Sequence, residues 1–323
     1  MLKRILIPFL LPAAMYCAPA WLLIRTTDGT LVEGQTQLKS VRIASGGQAV
    51  DLKLGQVLSV HNGTAASEME AGRIKAGIAA IQGTDRKASD KAVEELTSIG
   101  LPLLTPLLDT YKDTDQHEPR PLYRLFERIV PSYADEFDRG LSLVRMPNSE
   151  AMRGTLAEGT VEVKTAAGET VKLPWAKIRS MAVRQAAVKR SMQVHSLKHS
   201  TQIEYYDTGV VLTAASKVDT ASRGLVRLSW NTDSWASDAD GIKKPGSPAY
   251  KSHLFEGHPF GALVGRTSAD GEVFFLGKKS TKTGLKPGRL GLAVNDNKHW
   301  QNNVGTFYVT MTATEAYDLG DGQ

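Results

Sequence analysis

Cysteine is almost missing from this chain. Cys17 is the single one in 323 residues, and it lies inside an N-terminal apolar run. If that run is removed, no disulfide, thiol nucleophile or cysteine-based zinc site remains. Catalytic signatures are missing too: the sequence has no G-x-S-x-G elbow, no H-E-x-x-H, no Walker loop and no G-x-G-x-x-G behind a strand. Charge of one sign is scarce, at a net +5 from 39 basic and 34 acidic residues, which is too mild for a nucleic-acid partner. These absences point away from an enzyme.

The apolar run itself has a recognisable form. Lys3 and Arg4 precede Ile5 to Tyr16, and Ala18-Pro19-Ala20 offers an A-x-A cleavage site before Trp21. This pattern predicts a signal peptide over residues 1–20, too short to span a membrane as a helix. Ala14-Met15-Tyr16 does not supply the small residues of a lipoprotein signal before Cys17. Cleavage removes two basic residues and no acid, leaving +3. The expectation is a secreted or periplasmic protein with no later membrane span. In a bacterial source the Asn62-Gly63-Thr64 sequon carries little meaning.

An internal repeat organises the first half. Leu23-Ile24-Arg25 matches Leu143-Val144-Arg145, and Val32-Glu33-Gly34 matches Met152-Arg153-Gly154, both at a shift of 120. After one added residue in a glycine turn, Val50, Leu52, Val57 and Val60 meet Val171, Leu173, Ile178 and Met181 at a shift of 121. Alternation within each copy predicts short antiparallel strands. The copies, 21–64 and 141–184, are read as small SH3-like or Sm-like β units, either as separate barrels or as two halves packed into one.

A helical insert, 65–140, separates the copies. Ala92, Val93, Leu96 and Ile99 recur at helical spacing, and Leu103, Leu104, Leu107, Leu108 and Tyr111 follow Pro102. Leu122, Leu125, Phe126, Ile129 and Val130 continue after Pro119 and Pro121. The pattern predicts HEAT-like hairpins whose apolar stripe packs a core, or alternatively docks a protein partner. Residues 185–200, with Lys189, Arg190 and Lys198, read as a basic linker. Within it His195 and His199 read as a solvated pair rather than metal ligands, since no acid lies nearby.

From Thr201 to about 318 the chain reads as strands and turns, a β-sandwich. Its motifs include Asp207-Thr208-Gly209-Val210, Trp235-Ala236-Ser237, Phe260-Gly261-Ala262-Leu263-Val264, and Gly288 to Val294. The last is Asn295-Asp296, a short loop, then Asn302-Asn303-x-Gly305. Over about 201–312 this resembles the bacterial galactophilic lectins with a LecA-like domain, within the galactose-binding-domain-like jelly rolls. The resemblance implies a jelly-roll β-sandwich and a Ca²⁺ that takes two sugar hydroxyls. It implies side-chain ligands Asp296, Asn302 and Asn303, a carbonyl from His299–Trp300, and another carbonyl from Asp238.

Oxygen donors of this kind suit calcium, which takes six to eight at about 2.3–2.6 Å. Asp240 could add charge to the site, Trp300 could stack on a pyranose, and His253 and His258 could line the pocket edge. The Asp296-to-Asn302 loop is one residue shorter than in the galactose-binding lectin, and galactose specificity is not carried over. Asn and Asp here could equally form only a tight polar turn. The fold class expected is therefore mainly β with a helical insert. The function expected is an exported, non-catalytic protein binding carbohydrate, such as a cell-surface glycan, with calcium. The alternative is an envelope adaptor or structural protein that binds other proteins.

Overall fold

A computed structural model describes residues 19–63, 66–103, 106–107, 110, 125, 141–147, 150–201, 204–228, 235–242, 254–255, 257–269, 271–296 and 302–320. Most of the signal segment and most of the second expected helical hairpin lie outside the described residues. The chain is mostly β, with two α-helices among the described residues. None of these helices is long and apolar enough to cross a membrane.

The first copy supplies β1 (Ala20–Thr26), β2 (Leu31–Thr36), β3 (Ser40–Ser45), β4 (Gln48–Lys53) and β5 (Ser59–His61). Helices α1 (Glu68–Gln82) and α2 (Arg86–Ile99) follow. The second copy supplies β6 (Ser142–Arg145), β7 (Ala151–Leu156), β8 (Thr160–Thr165), β9 (Thr170–Pro174) and the start of β10 (Ile178–His195).

The two copies exchange strands instead of closing separately. β1 pairs with β10 and β6 pairs with β5, while β2 pairs with β8 and β3 with β7. β5 and β10 meet each other at Val60 and Met181, two residues that the repeat already equates. All of these pairings are antiparallel. Val41, Ile43, Leu52 and Val60 of one copy share a single core with Val161, Val163, Leu173 and Met181 of the other.

The repeat's glycine has a matching cause. A Cβ on Gly34 would fall on the Lys164 carbonyl oxygen, and a Cβ on Gly154 would fall on that of Ala44. Each copy's backbone thus presses on the other at the equivalent place.

Helix α1 starts at Ser67, whose side chain accepts from the Glu70 N–H while the Glu70 carboxylate accepts from the Ser67 N–H. This capping box satisfies two otherwise orphaned donors. Ile74, Ile78 and Ile81 of α1 pack against Ala92, Val93, Leu96 and Ile99 of α2, so the helical stripe forms the insert's own core. The insert is fastened to the β unit by a buried ion pair. Arg179, 2 % exposed, donates from Nε at 2.6 Å and from Nη2 at 2.5 Å to the fully buried Glu70, and from Nη1 at 2.8 Å to the Asn62 carbonyl.

The stretch expected as a basic linker is instead the second half of β10. Arg184 to His195 pair antiparallel with the last long strand, residues 304–318, and Val188, Met192 and Val194 point into the carboxy-terminal core. The reason is alternation: Lys189 faces water, while Val188 faces inward and Arg190, on that same side, is paired with Asp318. The carboxy-terminal unit therefore begins well before Thr201.

The rest of that unit comprises β11 (Tyr206–Leu212), β12 (Lys217–Arg227), β13 (Ala236–Ser237), β14 (Leu254–Phe255), β15 (His258–Pro259) and β16 (Leu263–Arg266). It closes with β17 (Phe274–Phe275), β18 (Lys279–Lys282), β19 (Gly288–Val294) and β20 (Val304–Asp318). β20 lies between β10 and β12, and β19 lies between β11 and β16. Val210, Leu212, Leu263, Leu290, Leu292, Phe307, Val309 and Met311 fill one core between them.

Candidate functional site

β19 delivers Asn295 and Asp296 at its end, and β20 takes over just after Asn303. These three polar residues are 0 %, 1 % and 2 % exposed. Burial of this kind is costly unless hydrogen bonds replace water. Asn295 Nδ2 donates to the His258 carbonyl at 3.0 Å and to that of Pro259 at 3.2 Å. Its backbone joins the same segment, accepting from the Gly261 N–H at 2.7 Å and donating to the Ala262 carbonyl at 2.8 Å. The Asp296 N–H donates to Thr201 Oγ1 at 3.0 Å, and that hydroxyl is 2.9 Å from the Asp296 carbonyl.

Asn303 Nδ2 is placed between two acceptors, the Asp296 carboxylate and the Ser196 carbonyl, the latter at 3.1 Å. Its Oδ1 is buried and receives no hydrogen bond. A buried amide oxygen left without a donor calls for an explanation. A carboxylate and amide oxygens are donors of the kind a hard cation takes, although it is the Asn303 nitrogen that lies against Asp296 here. Among the described residues no three His, Cys, Asp or Glu side chains cluster. A metal here would rest on one carboxylate, that of Asp296, with amide and carbonyl oxygens completing its shell.

The other turn named by the sequence lies across the 258–263 segment. Leu263 N–H donates to the Ala239 carbonyl at 2.9 Å, while Gly261 and Ala262 bond Asn295, so the two turns flank one short stretch of chain. The Asp238 carboxylate is turned toward Lys278, at 2.6 Å, and accepts the Asp240 N–H at 3.0 Å. That hydrogen-bonded carboxylate raises the Lys278 pKa above its ordinary value. The Asp238 carbonyl accepts from the Gly241 N–H at 3.0 Å and from Ser237 Oγ at 2.8 Å. Asp240 Oδ1 accepts the Lys278 N–H at 2.9 Å. No contact among the described residues joins the Asp238 carboxylate to Asp296 or Asn303.

Asn302 is half-buried beside Asn303. His253, His299 and Trp300 lie outside the described residues. Trp235 packs against the core, its ring edge-on to Phe260 at 6.0 Å. His258 donates from Nε2 to the Val273 carbonyl at 3.0 Å.

His195 and His199 correct the expectation of a solvated pair. His199 is buried, its Nδ1 accepts the His195 N–H at 3.1 Å, and its ring stands edge-on to Tyr206 at 5.1 Å. His195 Nδ1 is 2.8 Å from Thr306 Oγ1. The imidazoles close a turn rather than open one to solvent. Sequence reasoning also missed Ser196, in the supposed linker, and Thr201, the first residue of the expected sandwich, which bond Asn303 and Asp296. Their signal was the buried alternation of Val188, Met192 and Val194, which carries a strand up to them.

No family model matches this chain, and no curated protein does. Among solved structures it is similar to the EclA N-terminal domain, described as a PllA-like lectin, at 22 % identity and a TM-score of 0.31. That match covers 39 % of this chain and 96 % of the other. A likeness this loose assigns neither a ligand nor a residue role.

Proposed function

We propose that this is an exported, non-catalytic binding protein whose carboxy-terminal unit, a jelly-roll sandwich, takes a saccharide with the help of Ca²⁺ at the Asn295–Asn303 turn. The observation that carries the reading is the buried Asn303 Oδ1 with no donor, in a side chain whose amide group already lies against the Asp296 carboxylate and the Ser196 carbonyl. Asp296, Asn302 and Asn303 would hold the ion, with a carbonyl from the His299–Trp300 stretch and that of Asp238, which would have to give up the Ser237 hydroxyl to join. Calcium supplies a hard, multiply coordinated centre on which sugar hydroxyls replace water. Asp240, His253, His299 and Trp300 are proposed to rim the sugar, a cell-surface or matrix glycan.

The test is titration calorimetry of the full chain with calcium chloride, followed by a glycan array with and without EDTA. We expect saturable calcium binding that is lost in Asp296→Ala and Asn303→Ala, and glycan signals that EDTA removes. Absence of calcium binding by the wild-type chain overturns the reading.

A further inference from the structure

The sheet face opposite the carboxy-terminal core carries a groove of its own. It has a volume of about 490 Å³ and runs over β10, β20 and β12. The strand registers put its outward side chains in two rungs. Gln193, Tyr308 and Arg223 lie side by side across the three strands, and Ser191, Thr310 and Ala221 form the next rung. Tyr308 is 48 % exposed, so one face of its ring is open to a ligand among polar neighbours. The Arg223 guanidinium lies 5.9 Å from that ring's centre.

Charge in the groove is one-sided. None of its lining residues is acidic, and among the described residues no carboxylate pairs with Arg223. The acid nearest in register, Asp219, is two residues farther along β12 facing Thr312 and is held by Lys217 at 3.0 Å and by Thr281 at 2.5 Å. The cation is left for a ligand.

We propose that this face is a second saccharide site, separate from the Asn295–Asn303 turn, and that it takes an acidic polysaccharide of the uronate type. Tyr308 stacks on the apolar face of a sugar ring. Ser191, Gln193 and Thr310 exchange hydrogen bonds with its hydroxyls, and Arg223 takes the carboxylate in its planar fork.

The alternatives fit less well. β20 is paired on both sides, so no free edge exists here for an extended peptide to add as a strand. A single ring and a single guanidinium give a nucleic acid neither the succession of stacking platforms nor the row of phosphate contacts it uses. The site is built from side chains alone and needs no metal, so it stands or falls independently of the calcium reading.

The test is affinity electrophoresis of the full chain through gels containing polygalacturonate, with EDTA present throughout so that the turn site contributes nothing. Dextran, a neutral polysaccharide, and polyglutamate, a polyanion without sugar, serve as comparison gels. We expect retardation by polygalacturonate alone. Tyr308→Ala should weaken it roughly tenfold, the scale of one lost aromatic contact, and Arg223→Gln should weaken it as well. Both groove side chains are exposed, so the variants keep the fold, which circular dichroism verifies. No retardation by polygalacturonate, equal retardation by polyglutamate, or full retention in Tyr308→Ala each overturns the proposal.

Discussion

Replacing Glu70 by glutamine leaves shape and volume nearly unchanged while removing one charge from a pair that water does not reach. The Arg179 guanidinium would keep its 2.8 Å bond to the Asn62 carbonyl but lose the carboxylate that receives Nε and Nη2. Asn62 in turn bonds the Trp175 and Ile178 carbonyls, at 2.9 and 3.0 Å, and accepts from Ser142 at 3.2 Å. The damage therefore reaches both β copies as well as the helical insert. Stranding one member of a buried pair costs about 3–5 kcal/mol, which for a chain of this size is a fall of roughly 6–20 °C in Tm.

The double replacement Glu70→Leu with Arg179→Met removes both charges and refills the space. It should be clearly less damaging than the sum of the singles, with a coupling of about 2 kcal/mol in the cycle. Thermal and urea unfolding of the full chain, followed by circular dichroism, measure all four corners. A Glu70→Gln variant that loses less than about 1 kcal/mol, the range of an exposed pair, would refute the reasoning.

On the proposed reading, in which calcium would bind the native state alone, calcium at 100 times its dissociation constant should stabilise the folded chain by about 2.7 kcal/mol. A melt with and without EDTA checks this, and Asn303→Ala should abolish the difference. Burial, with the cations Arg145 and Arg289, lowers the His61 pKa to about 3, and its Nε2 lies 3.1 Å from the Leu319 carbonyl. The folded value is below the ordinary 6.5, so the unfolded chain takes the proton first as pH falls. Stability from this group is complete above about 6.5 and drains away toward about 3, by on the order of a few kcal/mol; His61→Gln should flatten that part of the pH–stability curve. Gly34→Ala and Gly154→Ala should each cost at least the about 1–3 kcal/mol of an overpacked core, and by similar amounts. Gly55→Ala, which meets nothing within 4 Å, should be close to neutral in the same denaturation assay.

The alternating strands of 21–64 and 141–184 could be read from the sequence because they are written in apolar spacing, and Val60 and Met181, aligned there, are antiparallel partners. The exchange of strands between copies was not legible. Val41, Ile43, Val161 and Val163 are buried whether each copy closes alone or both close together, so burial pattern does not distinguish the two. Lys189 and Arg190 drew attention to charge and hid the strand beneath them. At the site, Asp296 and Asn303 are hydrogen-bonded to each other; it was the lectin resemblance that grouped them, and residue spacing alone would not have done so. Asp238 was harder: its partner Lys278 lies forty residues away, and no local pattern announces an ion pair across that distance.

Because β10 continues for 18 residues without a break, the amino-terminal β unit and the carboxy-terminal one are two ends of the same beam, about 60 Å if fully extended. They do not swivel like beads on a string. Arg184, 4.3 Å over the Trp21 ring and 2.6 Å from Glu33, braces the beam near its midpoint. Whatever the amino-terminal half is anchored to, the groove and the polar turn are presented at a fixed bearing from that anchor. A pull on one end is carried through a continuous backbone to the other.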